Sequence, residues 1–355
     1  MCRFACPVAE ATKNERHTPW GKQAALYEVR RARQALDRET ARTFHACLGC
    51  HGSVSFCLHG IDVPAELFRA RAEAVSSGVY RPAPWVPARL AASGTPFPGS
   101  PRERQAELLP HPDPGAAWLL FPGCAGLAGE GDDVRAAARL ATLSRPGGYR
   151  TTERVFCGGY PLAALGYASA FEEHRARLSA ALAGADRILS LCPACLPILR
   201  AAAPTGALVI HPLTLAARLM EEGKINPSKP FPGRAAYHDP CHLARDERLG
   251  PPARRVLAGV FERGLAEFLW NGVETRCAGG GGGLPATYPR ASWRILEARL
   301  EEFDRTGAEA LVTSCSNCLR RFRRARPGGI VLDAMDALLR AAEILEPGPG
   351  DGVPR

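Results

Sequence analysis

From Ala116 onward, short apolar runs alternate with Ala- and Leu-rich stretches whose hydrophobic positions recur at helical spacing. The runs Trp118–Phe121, Arg187–Leu191, Ala235–His238 and Ala310–Ser314 read as strands, and the stretches between them as amphipathic helices. Strands separated by helices predict an α/β domain built on parallel strands. The first 77 residues are patterned differently, with charged, helix-like segments such as Leu26–Thr43. Between the two zones, residues 78–115 carry nine prolines from Pro82 to Pro114 and no strong periodicity. That stretch reads as a linker or an extended arm draped over the surface. Residues 346–355 read as a flexible tail.

The α/β zone repeats itself. Trp118–Phe121 leads into Pro122-Gly123-Cys124, and Ala235–His238 leads into Asp239-Pro240-Cys241. Val155-Phe156-Cys157-Gly158-Gly159 answers to Thr275-Arg276-Cys277-Ala278-Gly279. Arg187–Leu191 runs into Cys192-Pro193-Ala194-Cys195, and Ala310–Ser314 into Cys315-Ser316-Asn317-Cys318. Equivalent cysteines are offset by 117, 120, 123 and 123 residues (241 − 124, 277 − 157, 315 − 192, 318 − 195). Four cysteines placed twice in one order at a nearly constant offset predict an internal duplication.

Thirteen cysteines change the picture from fold to chemistry. No secretory h-region opens the chain and no apolar run is long enough to span a bilayer, which predicts a cytoplasmic protein without a membrane span, able to rest against a membrane partner. In a reducing compartment so many thiols, odd in number, point to metal rather than to disulfides. Net charge is +9, yet the basic residues are scattered and almost all arginine, with no recognition motif beside them, so nucleic-acid binding is not expected. The one dense run, Arg320-Arg321-Phe322-Arg323-Arg324, reads as the exposed face of a helix.

Each copy combines one close Cys-x-x-Cys pair with two single cysteines from remote loops. Thiolates bind metal, and the end of a strand at a helix N-terminus favours thiolate through its exposed N–H groups. Four thiolates suit either Zn²⁺ or an iron–sulfur cluster. Structural zinc sites usually combine two close knuckles, whereas this spacing wraps a larger object. The glycine run Gly279–Gly283 would let backbone approach that object and donate N–H groups to it.

These segments resemble the cysteine-rich CCG domain of heterodisulfide reductases and of the iron–sulfur subunits of glycolate- and lactate-oxidising dehydrogenases. The resemblance rests on Phe121–Cys124, Cys157–Leu162, Cys192–Cys195, His238–Arg245, Cys277–Gly282 and Cys315–Cys318. It implies tandem domains over residues 116–230 and 231–345, each holding a [4Fe–4S] cluster. The ligands would be Cys124, Cys157, Cys192 and Cys195 in the first, and Cys241, Cys277, Cys315 and Cys318 in the second. It further implies an electron-transfer subunit of a larger oxidoreductase rather than a complete enzyme, partnered by a flavin-dependent dehydrogenase subunit, a ferredoxin or a membrane cytochrome subunit. The family places two adjacent cysteines before the glycine; here the second is Gly158 in one copy and Ala278 in the other. Loss of that fifth thiolate argues against a non-cubane cluster and against disulfide-reducing chemistry that depends on it.

Residues 1–77 resemble a degenerate dicluster ferredoxin. Cys47-x-x-Cys50 and Cys57 follow its spacing, with Ser53 where the third cysteine belongs and Leu58 where a proline belongs. Cys2-Arg3-Phe4-Ala5-Cys6-Pro7 matches the end of the other half, and His17–Lys22 continues the likeness. Because the fourth cysteine of each half ligates the other cluster, Cys6 would join Cys47 and Cys50, with Ser53 in the third place, in an incomplete third cluster. Cys2 and Cys57 would be too few for another. The alternatives are a remnant that binds nothing and, for the whole chain, a zinc-stabilised or cluster-less scaffold or assembly protein. His238 and His242 flank Cys241, where imidazole could ligate metal or relay protons. The resemblance instead implies a structural role, with His238 and Asp239 tying their turn by hydrogen bonds, and His211 is expected in a loop.

Overall fold

The computed structural model describes residues 3–246 and 252–345. The four expected apolar runs are strands, and each has acquired two partners. In the first half, β1 (Trp118–Phe121), β2 (Tyr149–Arg150), β3 (Arg187–Ser190) and β4 (Leu208–Ile210) form a parallel sheet in the order β2-β1-β3-β4. In the second, β5 (Ala235–His238), β6 (Leu265–Ala266), β7 (Ala310–Thr313) and β8 (Ile330–Asp333) repeat that order as β6-β5-β7-β8. Register pairs Leu120 with Leu189 in one sheet and Tyr237 with Val312 in the other. The central strands are buried, β3 except at Arg187, because helices cover both faces of a parallel sheet. β2 and β6 are two residues long, too short to leave a periodic signal in the chain.

One hydrophobic cluster runs continuously from the first sheet (Leu119, Leu120, Ile188, Leu189) to the second (Tyr237, Val312, Leu332). The far side of the second sheet has its own cluster around Phe268, Phe303 and Phe322. Arg323, expected on an exposed helix face, crosses the seam between the halves, donating both ends of its guanidinium to Asp132 at 2.8 and 2.7 Å. Arg320 donates to the Ala128 carbonyl, and Arg321 to those of Ala278 and Ser292. Of the four arginines of that run only Arg324 is exposed; the other three donate to backbone carbonyls and to the buried Asp132.

From residue 3 to 77 the regular elements are helices. Leu26–Thr43 is divided between the helices Pro19–Arg30 and Arg38–His45, the second capped by Asp37. Residues 78–115, expected as an extended arm, carry two helices, Trp85–Ser93 and Pro101–Leu108. Pro101 occupies the first turn, where a missing N–H costs nothing, and Ser100 caps the Glu103 N–H. Val86 and Leu90 bury themselves beside Cys124 and Cys157, while Leu108 and Leu109 join the main core. The stretch is therefore a packed strap over the first half. The tail 346–355 and Cys2 lie outside the described residues.

Candidate metal centre

In the first half three adjacent parallel strands end on the same edge, and their following loops bring in the cysteines. Cys124 follows β1 in the short helix Gly123–Leu127, Cys157 lies beyond β2, and Cys192 and Cys195 follow β3 across a 3₁₀ turn. In the second, Cys241 follows β5 and starts a helical turn, Cys277 lies beyond β6, and Cys315 and Cys318 follow β7 at the start of the helix Ser316–Ala325. Carboxyl ends of neighbouring parallel strands are where open α/β sheets assemble their sites. All eight predicted cysteines are thus gathered, four to a sheet.

Within each group the thiols pair. Cys124 hydrogen-bonds Cys157 and Cys192 hydrogen-bonds Cys195; Cys241 pairs with Cys277 and Cys315 with Cys318. In both groups one thiol of each hydrogen-bonded pair is pushed up, Cys241 and Cys318 in the second as Cys124 and Cys195 are in the first. In the first, Cys124 and Cys195 are pushed well above the ordinary thiol value, by the hydrogen bond to the neighbouring cysteine and then by burial. In the second, the hydrogen bond from Cys241 lowers Cys277 to about 6 against the effect of burial, helped by the Gly279 and Gly281 N–H groups and by Arg321. Cys315 is lowered by its hydrogen bond from Cys318 and by the N–H groups of Cys318 and Asn317, which belong to the helix start. Among the described residues no three His, Cys, Asp or Glu side chains converge closely enough to share a single metal ion. A donor set of four thiols with no carboxylate among them fits soft-metal or iron–sulfur chemistry.

The position of the missing fifth thiol is closed in the first half. A Cβ on Gly158 would stand 2.9 Å from both Cβ and Sγ of Cys195. Its counterpart Ala278 is buried in the second-sheet cluster.

The N-terminal cysteines come to the second group, not to the first. Cys6, Cys47 and Cys50 line one narrow cavity together with Ser53, His51 and Lys22, so the four positions expected to share a cluster do face one space. Cys57 is not on that cavity wall. Cys50 is pushed up to about 12 by burial and then by the charge of Cys277. The glycine run makes this approach possible. Gly282 has φ of +60°, and a Cβ there would meet the Cys47 carbonyl oxygen at 2.2 Å. Arg71, completely buried, donates to the carbonyls of Phe44, Cys47, Ala164 and Gly282, pinning helix, cysteine loop and glycine run together. Arg245 donates to the Cys50 and Thr275 carbonyls from the other side. Arg71 does not announce itself in the sequence, since its partners are backbone atoms from distant segments.

His238, His242 and His211 each have a hydrogen-bond partner, His242 Nδ1 lying 3.5 Å from Cys241 Sγ. His238 accepts from Arg299 Nε at 3.0 Å, and the Asp239 carboxylate receives Arg254 through both oxygens at 3.0 Å and the Gly272 N–H at 2.9 Å. His242 packs edge-on against Tyr160 and His51 beside the cysteines. His211, expected in a loop, is fully buried and caps the helix Pro212–Glu221 by accepting the Leu213 N–H.

Residues 235–323 match the family model of the cysteine-rich domain, CCG. One subunit of the fumarate reductase (CoM/CoB) of Methanothermobacter marburgensis is 28% identical over 162 residues, 46% of this chain and 32% of the relative. One subunit of the dihydromethanophenazine:CoB–CoM heterodisulfide reductase of Methanosarcina barkeri is 30% identical over 138 residues, 39% of this chain and 32% of the relative. The probable iron-sulfur-binding oxidoreductase FadF of Bacillus subtilis is 29% identical over 111 residues, 31% and 16% of the respective chains. The matched stretches span at most about a third of these relatives. No helix among the described residues is long and apolar enough to cross a membrane.

Proposed function

With residues 235–323 a CCG cysteine-rich domain, we propose that the chain is an iron–sulfur electron-transfer subunit of a larger oxidoreductase. It would comprise tandem cysteine-rich domains over residues 116–230 and 231–345, arisen by duplication, preceded by a degenerate ferredoxin-like segment over 1–77. One observation carries the reading: eight cysteines gather in two groups of four, each beyond the carboxyl edge of a parallel sheet of the same strand order. The relatives' names, which include reductase subunits and an iron-sulfur-binding oxidoreductase, support it.

Cys124, Cys157, Cys192 and Cys195 would hold one [4Fe–4S] cluster and Cys241, Cys277, Cys315 and Cys318 another. Cys6, Cys47 and Cys50 would hold an incomplete third beside the second. Such a cluster supplies reversible one-electron redox chemistry at a potential set by charge, N–H donors and burial. The residues of this chain fix the thiolates, exclude water and supply those donors: Gly279 and Gly281 to Cys277, the helix Ser316–Ala325 to Cys315. Absence of a fifth thiolate at Gly158 and Ala278 favours passing electrons over cleaving a disulfide. A flavin-dependent dehydrogenase subunit, a ferredoxin or a membrane cytochrome subunit would be the redox partner, met in the cytoplasm or at the inner membrane face.

Anaerobic titration of the purified chain, followed by EPR, tests this. The expected result is reversible one-electron reduction, with separate signals removed by Cys192→Ser and Cys315→Ser. A protein that takes up no electrons reversibly would contradict it.

A further inference from the structure

Lys22 has 1% of its surface exposed and no carboxylate partner among the described residues. Its Nζ donates to the Ala46 carbonyl at 2.6 Å and lies 3.9 Å from Cys6 Sγ, on the wall of the cavity that Cys6, Cys47 and Cys50 share. It does not reach solvent, as buried lysines do when they can. Arg71 is 0% exposed, and its donors go to four carbonyl oxygens and none to an acid. Thiols line the same region: burial disfavours the Arg71 cation, and the charge of Cys47 is the largest effect that favours it. Two cations, Lys22 on the cavity wall and Arg71 on the Cys47 carbonyl, have been taken out of water with no acid to balance them among the described residues.

Such an arrangement is costly by itself. An ion moved into a low-dielectric interior loses its hydration, and carbonyl dipoles replace only part of it. Arg299, the other fully buried cation among the described residues, does have an acid, Glu302. The exception falls where the cysteines are, and Ser53 on the same wall would leave a group held there one thiolate short.

We propose that Lys22 and Arg71 are the built-in counter-charges of an anionic iron–sulfur group held by Cys6, Cys47 and Cys50, and that Lys22 sets its reduction potential. This rests on the ligand reading of the N-terminal cysteines. Reduction adds negative charge to such a group, so a fixed cation against one of its ligands favours the reduced form and raises the potential. Lys22 is a positioning and tuning residue rather than a catalytic one. In metal-free protein its charge has nothing to balance it, so an isosteric apolar side chain should be tolerated there at least as well.

The experiment uses the full chain, anaerobically reconstituted with iron and sulfide, as wild type, Cys47→Ser, Lys22→Met and Lys22→Arg. The EPR signal lost in Cys47→Ser identifies the N-terminal group. The midpoint potential of that signal should fall in Lys22→Met, return toward wild type in Lys22→Arg, and leave the other signals unmoved. The thermal midpoint of metal-free Lys22→Met should equal or exceed that of metal-free wild type. An unshifted potential overturns the inference while leaving the ligand reading standing. A metal-free Lys22→Met protein that melts lower than wild type also overturns it, since Lys22 would then be holding Ala46 for structural reasons alone. If Cys47→Ser removes no signal, the ligand reading itself fails and the inference with it.

Discussion

At the scale of single residues, what distinguishes the two cysteine groups is what stands where a fifth thiol could be. Gly158 does not need left-handed backbone; it needs space, because Cys195 fills the volume a side chain would take. Gly158→Ala must therefore displace the Cys195 side chain, and overpacking of this kind costs about 1–3 kcal/mol. The expected outcome is a lower thermal midpoint together with loss of iron from the first group and not the second. Unchanged iron at the Cys192-dependent site would show that the loop yields more readily than its packing suggests. Cysteine positions were legible from spacing alone, since chance seldom repeats four thiols in one order at a constant offset. Lys22 lay inside a recognisable motif without any sign that its ammonium is buried, and Arg71 gave no sign whatever. Their partners are carbonyls of residues up to 211 positions away, and a carbonyl has no residue identity to read.

At the scale of elements, local pattern served the central strands well and failed where burial is supplied by another segment. The proline-rich strap read as extended because Pro usually punctuates; at Pro101 it begins a helix instead, and Val86 and Leu90 find their core in the first half rather than in their own neighbourhood. The seam between the helices Asp132–Ser144 and Ser316–Ala325 was equally hidden. There Asp132 takes Arg323, while its neighbour Asp133 is buried, accepts the Val134 N–H on Oδ1 and lies beside Ser316. Burial, and then the charge of Asp132, raise Asp133 from 3.8 to about 7. Between those values the folded protein holds a proton that the unfolded chain has released, so its stability contribution falls as pH rises through the window. Asp133→Asn keeps the shape and removes the titration. Its advantage over wild type should be negligible near pH 4, grow from there, and level off above pH 7 at roughly 1–4 kcal/mol. Denaturant melts at pH 4, 6 and 8 check this; an advantage independent of pH would mean that Asp133 does not bind a proton in the fold.

At the scale of the whole molecule, the chain brings its N-terminal segment to one particular half. The glycine run Gly279–Gly283 lies directly against Cys47 and Leu48, and Arg71 and Arg245 fasten the contact. Cys50 and Cys277 consequently feel each other's charge, while Cys124 and Cys195 are shifted only by their own neighbours and by burial. On the proposed reading, the group of the N-terminal segment and that of the second half would be neighbours, as a subunit passing electrons between partners would need. The order of strands and the four-and-four grouping of thiols are the firmest features of this architecture. What the thiols hold decides the function. The most direct measurement is the iron, acid-labile sulfide and zinc content of the anaerobically purified full chain, repeated for Cys192→Ser and Cys315→Ser. The account predicts about four irons and four sulfides lost with each substitution, the [4Fe–4S] stoichiometry of a Cys₄ site. Stoichiometric zinc without acid-labile sulfide would contradict it.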